Sequence, residues 1–497
     1  MTPLEMGANG KLIYRPYNAQ GDKILDFSHC GYGGGGVKLP NVAAKVTVAP
    51  DVDDLDDTPR LQKAIDEICQ MPLDAAGFRG AVLFTRGMYE MASGVKVRAS
   101  GVVLRGEGND EKGTVFFGTT AKPYNLVSFS GEATKPLPAT EQKIGDDYVP
   151  LGSIKITVTD GTKFKAGDAV IVTRHSNPQW IREIGMDRIP LRDKSKPELT
   201  KQWKPFDLKF DRKVIAVDGN TLTLDAPMGS GIAKQWGGGS VVKYDGSGRI
   251  SKVGIESIFA SNSFDRKLTK KYGEETVFVD ENHVKRFVDF DNAENVWARN
   301  LGTRFIEDVV RFGYGVKYGT VQDSYSIEPV SLLTGGRRYP FYSNGQLTLW
   351  QRLRARESRH AFVYSSVVAG PNVFLDCRAT KEHSPSEAHH RWSVGGLYDN
   401  VHGKVAVNDR GNQGTGHGWG GANYVIWNGK GGLTLQSPPT AENFAFGFVG
   451  RLGKPRTGPM NAWFVSLNQH VAPRSLYLQQ LEERLGTNAV QNIAAKK

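Results

Sequence analysis

The sequence predicts an all-β chain wound as a parallel β-helix, a solenoid with an N-terminal capping helix and a small inserted β subdomain. Three observations carry this. Glycine is abundant, 58 of 497 residues, and follows no G-X-Y period, as expected where short strands turn tight corners. In the second half, strand-like segments begin near Val253, Val296, Val316, Leu349, Val373, Val401 and Tyr424, several of them about 20–25 residues apart, the spacing of stacked repeats. No helical pattern interrupts them. A β-sandwich is the structural rival, and it would need hairpin turns that this half largely lacks.

The elements follow in order. Residues 1–50 form an N-terminal extension, and 51–135 hold the capping helix and first coils. Thr58 suits the N-cap and Pro59 the first turn, while Leu61, Ala64, Ile65, Ile68 and Cys69 keep helical spacing until Pro72. Such a helix would cover the open end of a strand stack. Strand-like runs at Ala81–Phe84, Val95–Val97 and Val102–Leu104 come next. Residues 136–245 form the insertion, with strands joined by Asp160-Gly161 and Asp218-Gly219 turns. It contains a stretch from Asp187 to Lys213 with nine Lys/Arg against five Asp/Glu, which reads equally as a functional loop or a solvated basic face. Residues 246–455 are the main coils, and 456–497 hold a last helix marked by Leu478, Leu481 and Leu485 between Pro473 and Gly486, with a frayed end.

Composition narrows the function. Lys plus Arg number 63 and Asp plus Glu 52, a net charge of +11, which favours anionic partners. Nucleic acid would fit the charge, but no recognised nucleic-acid-binding motif accompanies it. A hydrophobic share of 39% excludes a disordered chain, and no apolar run reaches the roughly 18–20 residues of a membrane helix. Cys30, Cys69 and Cys377 make neither a disulfide framework nor a metal motif, and read as small buried hydrophobes.

Six of the ten histidines lie between positions 360 and 417: His360, His383, His389, His390, His402 and His417. Arg337, Arg338, Arg352, Arg354, Arg356, Arg359 and Arg391 crowd the same region. Neighbouring parallel strands lie ~4.8 Å apart, so residues one coil apart converge. His360, His389 and His417 have that spacing. Arginine fixes carboxylates or sulfates through paired hydrogen bonds, and a neutral imidazole removes a proton near neutral pH. Together these suit β-elimination on a uronic acid, with Tyr339 and Tyr342 as further acid or base candidates. Each of these residues also has an ordinary stacking or salt-bridging reading. Zinc is disfavoured because His389 and His390 are adjacent and point apart in extended chain. Calcium would suit Asp280, Glu281 and Asp289, a cluster that also reads as a turn. Paired carboxylates for hydrolysis would come from Glu307, Asp308 and Asp323. Trp392, Trp419 and Trp427 read as sugar platforms or core.

The chain also resembles the bacterial right-handed parallel β-helix proteins of the pectate-lyase superfamily. The opening carries Asp26-Phe27-Ser28, Gly31-Tyr32 and Asp56-Asp57-Thr58 leading into Gln62-Lys63-Ala64-Ile65-Asp66. Asp280-Glu281-Asn282-His283, Gly335-Gly336-Arg337-Arg338-Tyr339, Arg359-His360, His389-His390-Arg391-Trp392-Ser393 and Gly416-His417-Gly418-Trp419 resemble a subgroup of large lyases. The arginine motif of simple calcium pectate lyases is not recognisable, so their calcium site does not transfer. The resemblance implies a secreted or periplasmic polysaccharide lyase acting on a uronate polymer. The basic insertion favours a glycosaminoglycan of the chondroitin or dermatan type. The alternatives are a β-helix glycoside hydrolase on an acidic glycan and a non-catalytic acidic-glycan-binding β-helix. The expected catalytic set is His360, His389, His390, Arg338, Tyr339 and Arg391. Arg337, His283, Trp392, His417 and Trp419 are expected to bind substrate. Calcium is the one cofactor considered, and a monomer is expected. Residues Met1 to Arg15 lack an apolar core and are not a signal peptide, so export would use a leader absent from this chain.

Overall fold

The structure, a computed structural model, describes residues 2–494 apart from Val52 and Asp54. Twenty-eight strands join in one continuous parallel sheet system wound as a right-handed β-helix. Each central coil has three faces. The first face runs through Ala293–Arg299, Lys317–Gln322, Leu349–Gln351, Asn372–Leu375, Gly396–Asp399, Val425–Trp427, Phe444–Phe446 and Trp463–Val465. Its register stacks Leu349 on Val373, then Leu397, Val425 and Phe444. The expected segment at Val401 belongs elsewhere: Val401 sits at a corner, directly before the strand His402–Val407.

Physical chemistry accounts for the winding. One residue per coil adopts a left-handed conformation where the first face turns into the second: Asn300 at φ 56°, Asp323 at 54°, Arg352 at 54°, Asp376 at 53°, Asn400 at 53° and Asn428 at 47°. Asn and Asp tolerate this region best among residues with a side chain. Stacking also demands glycine at one column. A Cβ on Gly431 would lie 2.2 Å from the carbonyl oxygen of Gly403, and one on Gly450 2.1 Å from that of Gly431.

The first face is buried on both sides, as continuous apolar strands of parallel sheets are. Trp350, Phe374, Tyr398 and Ile426 fill the interior. Leu349, Val373, Leu397, Val425 and Phe444 point outward, where the N-terminal segment and the C-terminal helices cover them. That cover is held by Phe27 N–H donating to Gln480 Oε1 at 2.9 Å and Tyr477 O–H donating to the Cys30 carbonyl at 2.7 Å.

The helix Thr58–Gln70 buries Leu61, Ala64, Ile65 and Ile68 at the N-terminal end of the stack. Asp57, not Thr58, occupies its cap position; Thr58 begins the helix and its hydroxyl donates to Asp56 Oδ1 at 2.5 Å. The last long helix, Leu476–Leu485, buries Leu476, Tyr477, Gln480 and Leu481. Leu485 is 47% exposed, off the buried face the leucine spacing suggested. The chain beyond is not frayed as far as Ile493: Thr487–Ile493 is a further helix with Ala489 and Ile493 buried.

Residues 135–245 contribute a seven-stranded antiparallel sheet built on Ala169–Arg174, Leu208–Asp218 and Gly239–Asp245. Its core continues into the β-helix through Ala369, Trp392, Val394 and Ala422. The basic stretch is neither a free loop nor a solvated face throughout. Its end enters the strand Leu208–Asp218, and Arg212 is buried with its guanidinium on the carbonyls of Asp211, Ala226, Pro227 and Gly370. Upstream, Lys201 N–H donates to the Thr415 carbonyl at 2.9 Å and Trp203 Nε1–H to that of Gly416 at 3.1 Å, docking the insertion on the loop that carries His417. Among the described residues no helix is long and apolar enough to cross a membrane.

Candidate functional site

The third face, running through Asp308–Phe312, Phe341–Ser343, Phe362–Tyr364 and Ser386–Ala388, presents an outward column of Asp289, Arg311, Tyr342, Val363 and Glu387. Loops at the two edges of this face bring Tyr339 and His360 from one side and His389, His390 and His417 from the other. Ring centroids chain continuously: Tyr339 to His360 at 5.1 Å, Tyr339 to His389 at 5.3 Å, His389 to His417 at 5.1 Å and His390 to His417 at 4.7 Å. Coil stacking thus gathers all of these separate sequence positions.

A relay of hydrogen bonds runs through the cluster. Tyr339 Oη lies 3.3 Å from His389 Nε2, and Arg359 Nη1 donates to the same oxygen at 2.9 Å. His389 Nδ1 contacts Glu387 Oε1. Arg410 Nη1 donates to Glu387 Oε1 at 2.9 Å and to the His389 carbonyl at 2.5 Å. Glu387, the carboxylate acceptor at Nδ1, favours the ring form with the proton on Nδ1 and Nε2 facing the phenol, while Arg410 Nη1, a donor, lies 2.9 Å from the same Nδ1 and competes for it. His360 Nδ1 donates to the Pro385 carbonyl at 2.5 Å, leaving Nε2 buried 3.2 Å from Glu387 Oε1 at an angle that makes no hydrogen bond.

The electrostatics hold every imidazole neutral. Burial drives His389 well below its ordinary value, assisted by Arg410 and His390. Burial lowers His360 to about 3, His390 to about 4 and His417 to about 2, with Arg391 and Arg410 repelling a proton from the last two. Burial raises the Tyr339 phenol above its ordinary range, and Arg359 only partly offsets this. The resting pair is thus a neutral phenol and a neutral imidazole, with the phenol hydrogen shared between the Gly335 carbonyl at 3.1 Å and His389 Nε2 at 3.3 Å.

Tyr339 opens into a cleft of about 300 Å³ lined with Lys285, Arg286, Arg311, Tyr314, Tyr342 and Asn344, among others. Tyr314 is 56% exposed at its rim. Arg286 pairs with Asp308 at 2.9 Å and Arg311 with Asp291 at 2.9 Å, whereas exposed Lys285 has no ion pair among the described residues. Behind Lys285, Glu307 and Asp308 sit buried. Burial and the neighbouring Asp308 push Glu307 up to about 8, and burial raises Asp308 as well, with Arg286 partly offsetting it.

Several expected residues lie elsewhere or are already engaged. Arg338 is 2% exposed and donates to the carbonyls of Ser331 and Phe278, so its fork is not open to a substrate carboxylate. His283 is buried between the carbonyls of Val284 and Val330, which removes it from any groove. Arg337 pairs with Glu281. Trp392 is buried against Trp180, with ring centroids 4.7 Å apart, as part of the insertion's core. Half-buried Trp419 donates from Nε1 to the Ile184 carbonyl at 3.1 Å. The Arg391 guanidinium stands beside His390 and makes no hydrogen bond or ion pair with a described residue. His383 lies near Glu275, and His402 is exposed on the second face. Asp323 belongs to a corner and pairs with Arg352, away from Glu307 and Asp308.

The expected calcium ligands do not converge. Asp280 accepts from the backbone of Asp265 and Asn282, Glu281 holds Arg337, and Asp289 pairs with Arg286 and Arg311. Among the described residues one group could hold a metal: His360, Glu387 and His389, whose ligand atoms lie within 4.8 Å of one another. Two nitrogens and one carboxylate do not suit calcium, which takes oxygen donors. The Arg410 guanidinium already occupies Glu387 Oε1, so no step here is assigned to a metal.

Sequence reasoning missed Glu387, Arg410, Lys285 and Arg311. Glu387 had a signal in its place two residues before His389 on an extended strand, where both side chains share a face. Arg410 had none, because its approach depends on a loop path, and Lys285, in the strand Val284–Asp291, had none because the residues around it are set by the ladder of neighbouring coils.

No family model matches the chain, and no curated protein matches it; its likeness to the pectate-lyase superfamily remains one of motifs. Solved structures with similar coils include the tailspike protein gp49 of Pseudomonas phage LKA1, at 13% identity and a TM-score of 0.34, covering 84% of this chain and 74% of that one. The tailspike of E. coli bacteriophage HK620, in complex with a pentasaccharide, matches at 9% identity and TM-score 0.41, covering 93% of this chain and 62% of that one. The Gp54 tailspike of Acinetobacter baumannii bacteriophage AP22, in complex with capsular saccharide, matches at 10% identity and TM-score 0.27, covering 83% and 73%. Scores this low carry nothing about what this chain binds or cuts. The fold stands on the chain's own ladders: it is a right-handed parallel β-helix with His360, His389, His390 and His417 gathered at one face.

Proposed function

We propose that this protein is a polysaccharide lyase that cleaves a uronate-containing anionic polysaccharide by β-elimination, with a glycosaminoglycan of the chondroitin or dermatan type favoured. The observation that carries this reading is the Tyr339–His389–Glu387 relay at the head of a cation-lined cleft. Lys285, which has no ion pair among the described residues, would neutralise the C6 carboxylate and so acidify C5–H, with Arg311, held by Asp289 and Asp291, beside it. Tyr339 passes its proton to His389 Nε2 as its oxygen takes the C5 proton, and Glu387 stabilises the imidazolium that forms. The C4=C5 double bond forms as the C4–O bond breaks. Tyr339 then protonates the departing oxygen and recovers its own proton from His389, so no proton is gained or lost. Arg391, His390 and His417 would bind the adjoining sugar at the rim. The expected set thus changes: Tyr339 and His389 keep proton-transfer roles, His360 packs behind them, and Arg338 gives way to Lys285 and Arg311.

The test is incubation with pectate, alginate, glucuronan, chondroitin sulfate and dermatan sulfate while following ultraviolet absorbance of the unsaturated product. Absorbance growing with one or more of these polymers is the expected result. Reducing ends without absorbance would overturn elimination. One observation favours that second reading, hydrolysis: Glu307 and Asp308 are neighbouring buried carboxyls, with Glu307 pushed up to about 8 by burial and by Asp308, as the acid of a glycosidase pair is. Glu307→Gln would then abolish activity, whereas elimination predicts that it retains most of it.

A further inference from the structure

Behind the loop that carries His417, the insertion and the last coils enclose a second cavity of about 780 Å³. Tyr17, Trp236 and Trp419 line it with rings, and Asn423, Gln436 and Asn461 line it with carboxamides that already donate to the carbonyls of Gly229, Thr457, Pro459 and Ser437. Arg174 lines it from the end of the strand Ala169–Arg174 and is 5% exposed. Its guanidinium lies 4.3 Å from the Trp180 ring but makes no hydrogen bond or ion pair with any described residue, and Nη1 is buried without a partner.

This sets Arg174 apart from the other buried arginines. Arg212 and Arg338 are saturated by carbonyls, Arg286 pairs with Asp308, and Arg410 with Glu387. A buried, unpaired guanidinium is costly and is expected only where a partner arrives. The carboxylates in the same walls do not supply one. Asp22 is tied to Tyr148 Oη at 2.8 Å and Leu151 N at 2.8 Å, and Asp409 to Thr457 Oγ1 at 2.8 Å. Burial raises the Glu442 carboxyl and so disfavours its charge, and no cation offsets this.

We propose that this cavity is a carboxylate-reading saccharide subsite, in which Arg174 takes the carboxylate of an acidic sugar through two parallel hydrogen bonds while Trp236 and Trp419 flank the ring. The planar fork matches a carboxylate, and aromatic rings with a few amides suit a pyranose. The site needs neither elimination nor hydrolysis at Tyr339, so it stands or falls separately from the proposed reaction.

Calorimetry and tryptophan fluorescence on the full chain test it, with three probes: a glucuronate-containing disaccharide, the same disaccharide with its carboxyl reduced, and sodium sulfate. The acidic disaccharide is expected to bind and shift the fluorescence, with the reduced sugar at least tenfold weaker. Sulfate alone is expected to bind without reproducing the shift. Arg174→Met should lower affinity for the acidic sugar at least tenfold, Arg174→Lys several-fold, and Asn461→Ala, at the cavity wall, measurably with the fold intact. Tyr339→Phe should leave this binding unchanged. No binding by the wild-type protein, equal binding of acidic and neutral sugars, sulfate as the only ligand, or loss of binding in Tyr339→Phe would each overturn the proposal.

Discussion

Tyr339 is held by four neighbours that do different things. His389 Nε2 lies 3.3 Å from its oxygen, the Gly335 carbonyl accepts its hydroxyl at 3.1 Å, Arg359 steadies its oxygen, and Asp308 accepts its backbone N–H at 3.2 Å. Tyr339→Phe keeps the ring and its packing but removes the hydroxyl. Turnover is expected to fall about 10²–10⁴-fold with an unchanged melting temperature, measured by product absorbance beside a thermal melt. The relay works while His389 is neutral and Tyr339 protonated. Burial and Arg410 place the first condition's limit far below the ordinary imidazole value of 6.5, and burial places the second above the ordinary phenol value of 10.0. The acid limb of kcat/KM therefore falls well below pH 6.5. Arg410→Gln removes a repelling cation, so it should move that limb upward; a limb left in place would show that Arg410 does not tune His389.

At the scale of elements, the corners decide whether coils stack. Asn300 turns its corner at φ 56°, with Nδ2 donating to Ser257 Oγ of the preceding coil at 3.0 Å. A β-branched residue adopts that conformation poorly. Asn300→Val is expected to destabilise by about 1–2 kcal/mol, and Asn300→Gly by less, because glycine relieves the backbone while losing the bond. Urea midpoints of the two variants check this, and equal losses would place the effect in the hydrogen bond alone. The C-terminal helix is anchored similarly: buried Asp399 accepts from Ser475 Oγ at 2.7 Å and Tyr477 N at 2.8 Å.

For the whole molecule, buried titratable groups set opposing pH windows. His360, His390 and His417 have lowered values in the fold, so the unfolded chain binds more protons between those values and 6.5. Their contribution is complete above pH 6.5 and is lost as pH falls through this window. Burial raises Asp399 to about 7 from 3.8, so here the folded chain holds the extra proton. Its contribution is present below pH 3.8 and is lost as pH rises toward 7. Asp399→Asn removes this one opposing contribution, so between pH 5 and 7 the variant should gain stability with pH more steeply than the wild type. Urea melts at both values measure the two slopes, and parallel slopes would remove Asp399 from this account.

The coils and the histidine column were legible because both follow from spacing. Val296, Leu349 and Val373 occur where the ladder needs them, and His389 and His417 stack one coil apart, whereas His360 enters from the opposite edge of the face and meets His389 across it. Corner asparagines and aspartates mark the turns by their own backbone preference. Other features had no local cause to read. Arg338 is engaged by the carbonyls of Ser331 and Phe278, His283 is enclosed, and Trp392 joins the insertion's core rather than a sugar face. Lys285 comes from the strand Val284–Asp291 and Arg410 from a loop, and no histidine spacing encodes either. Residue order determined which side chains share a face. Only the folded packing decided which of them keep free hydrogen-bonding groups, because burial and nearby carbonyls consume those groups in three dimensions.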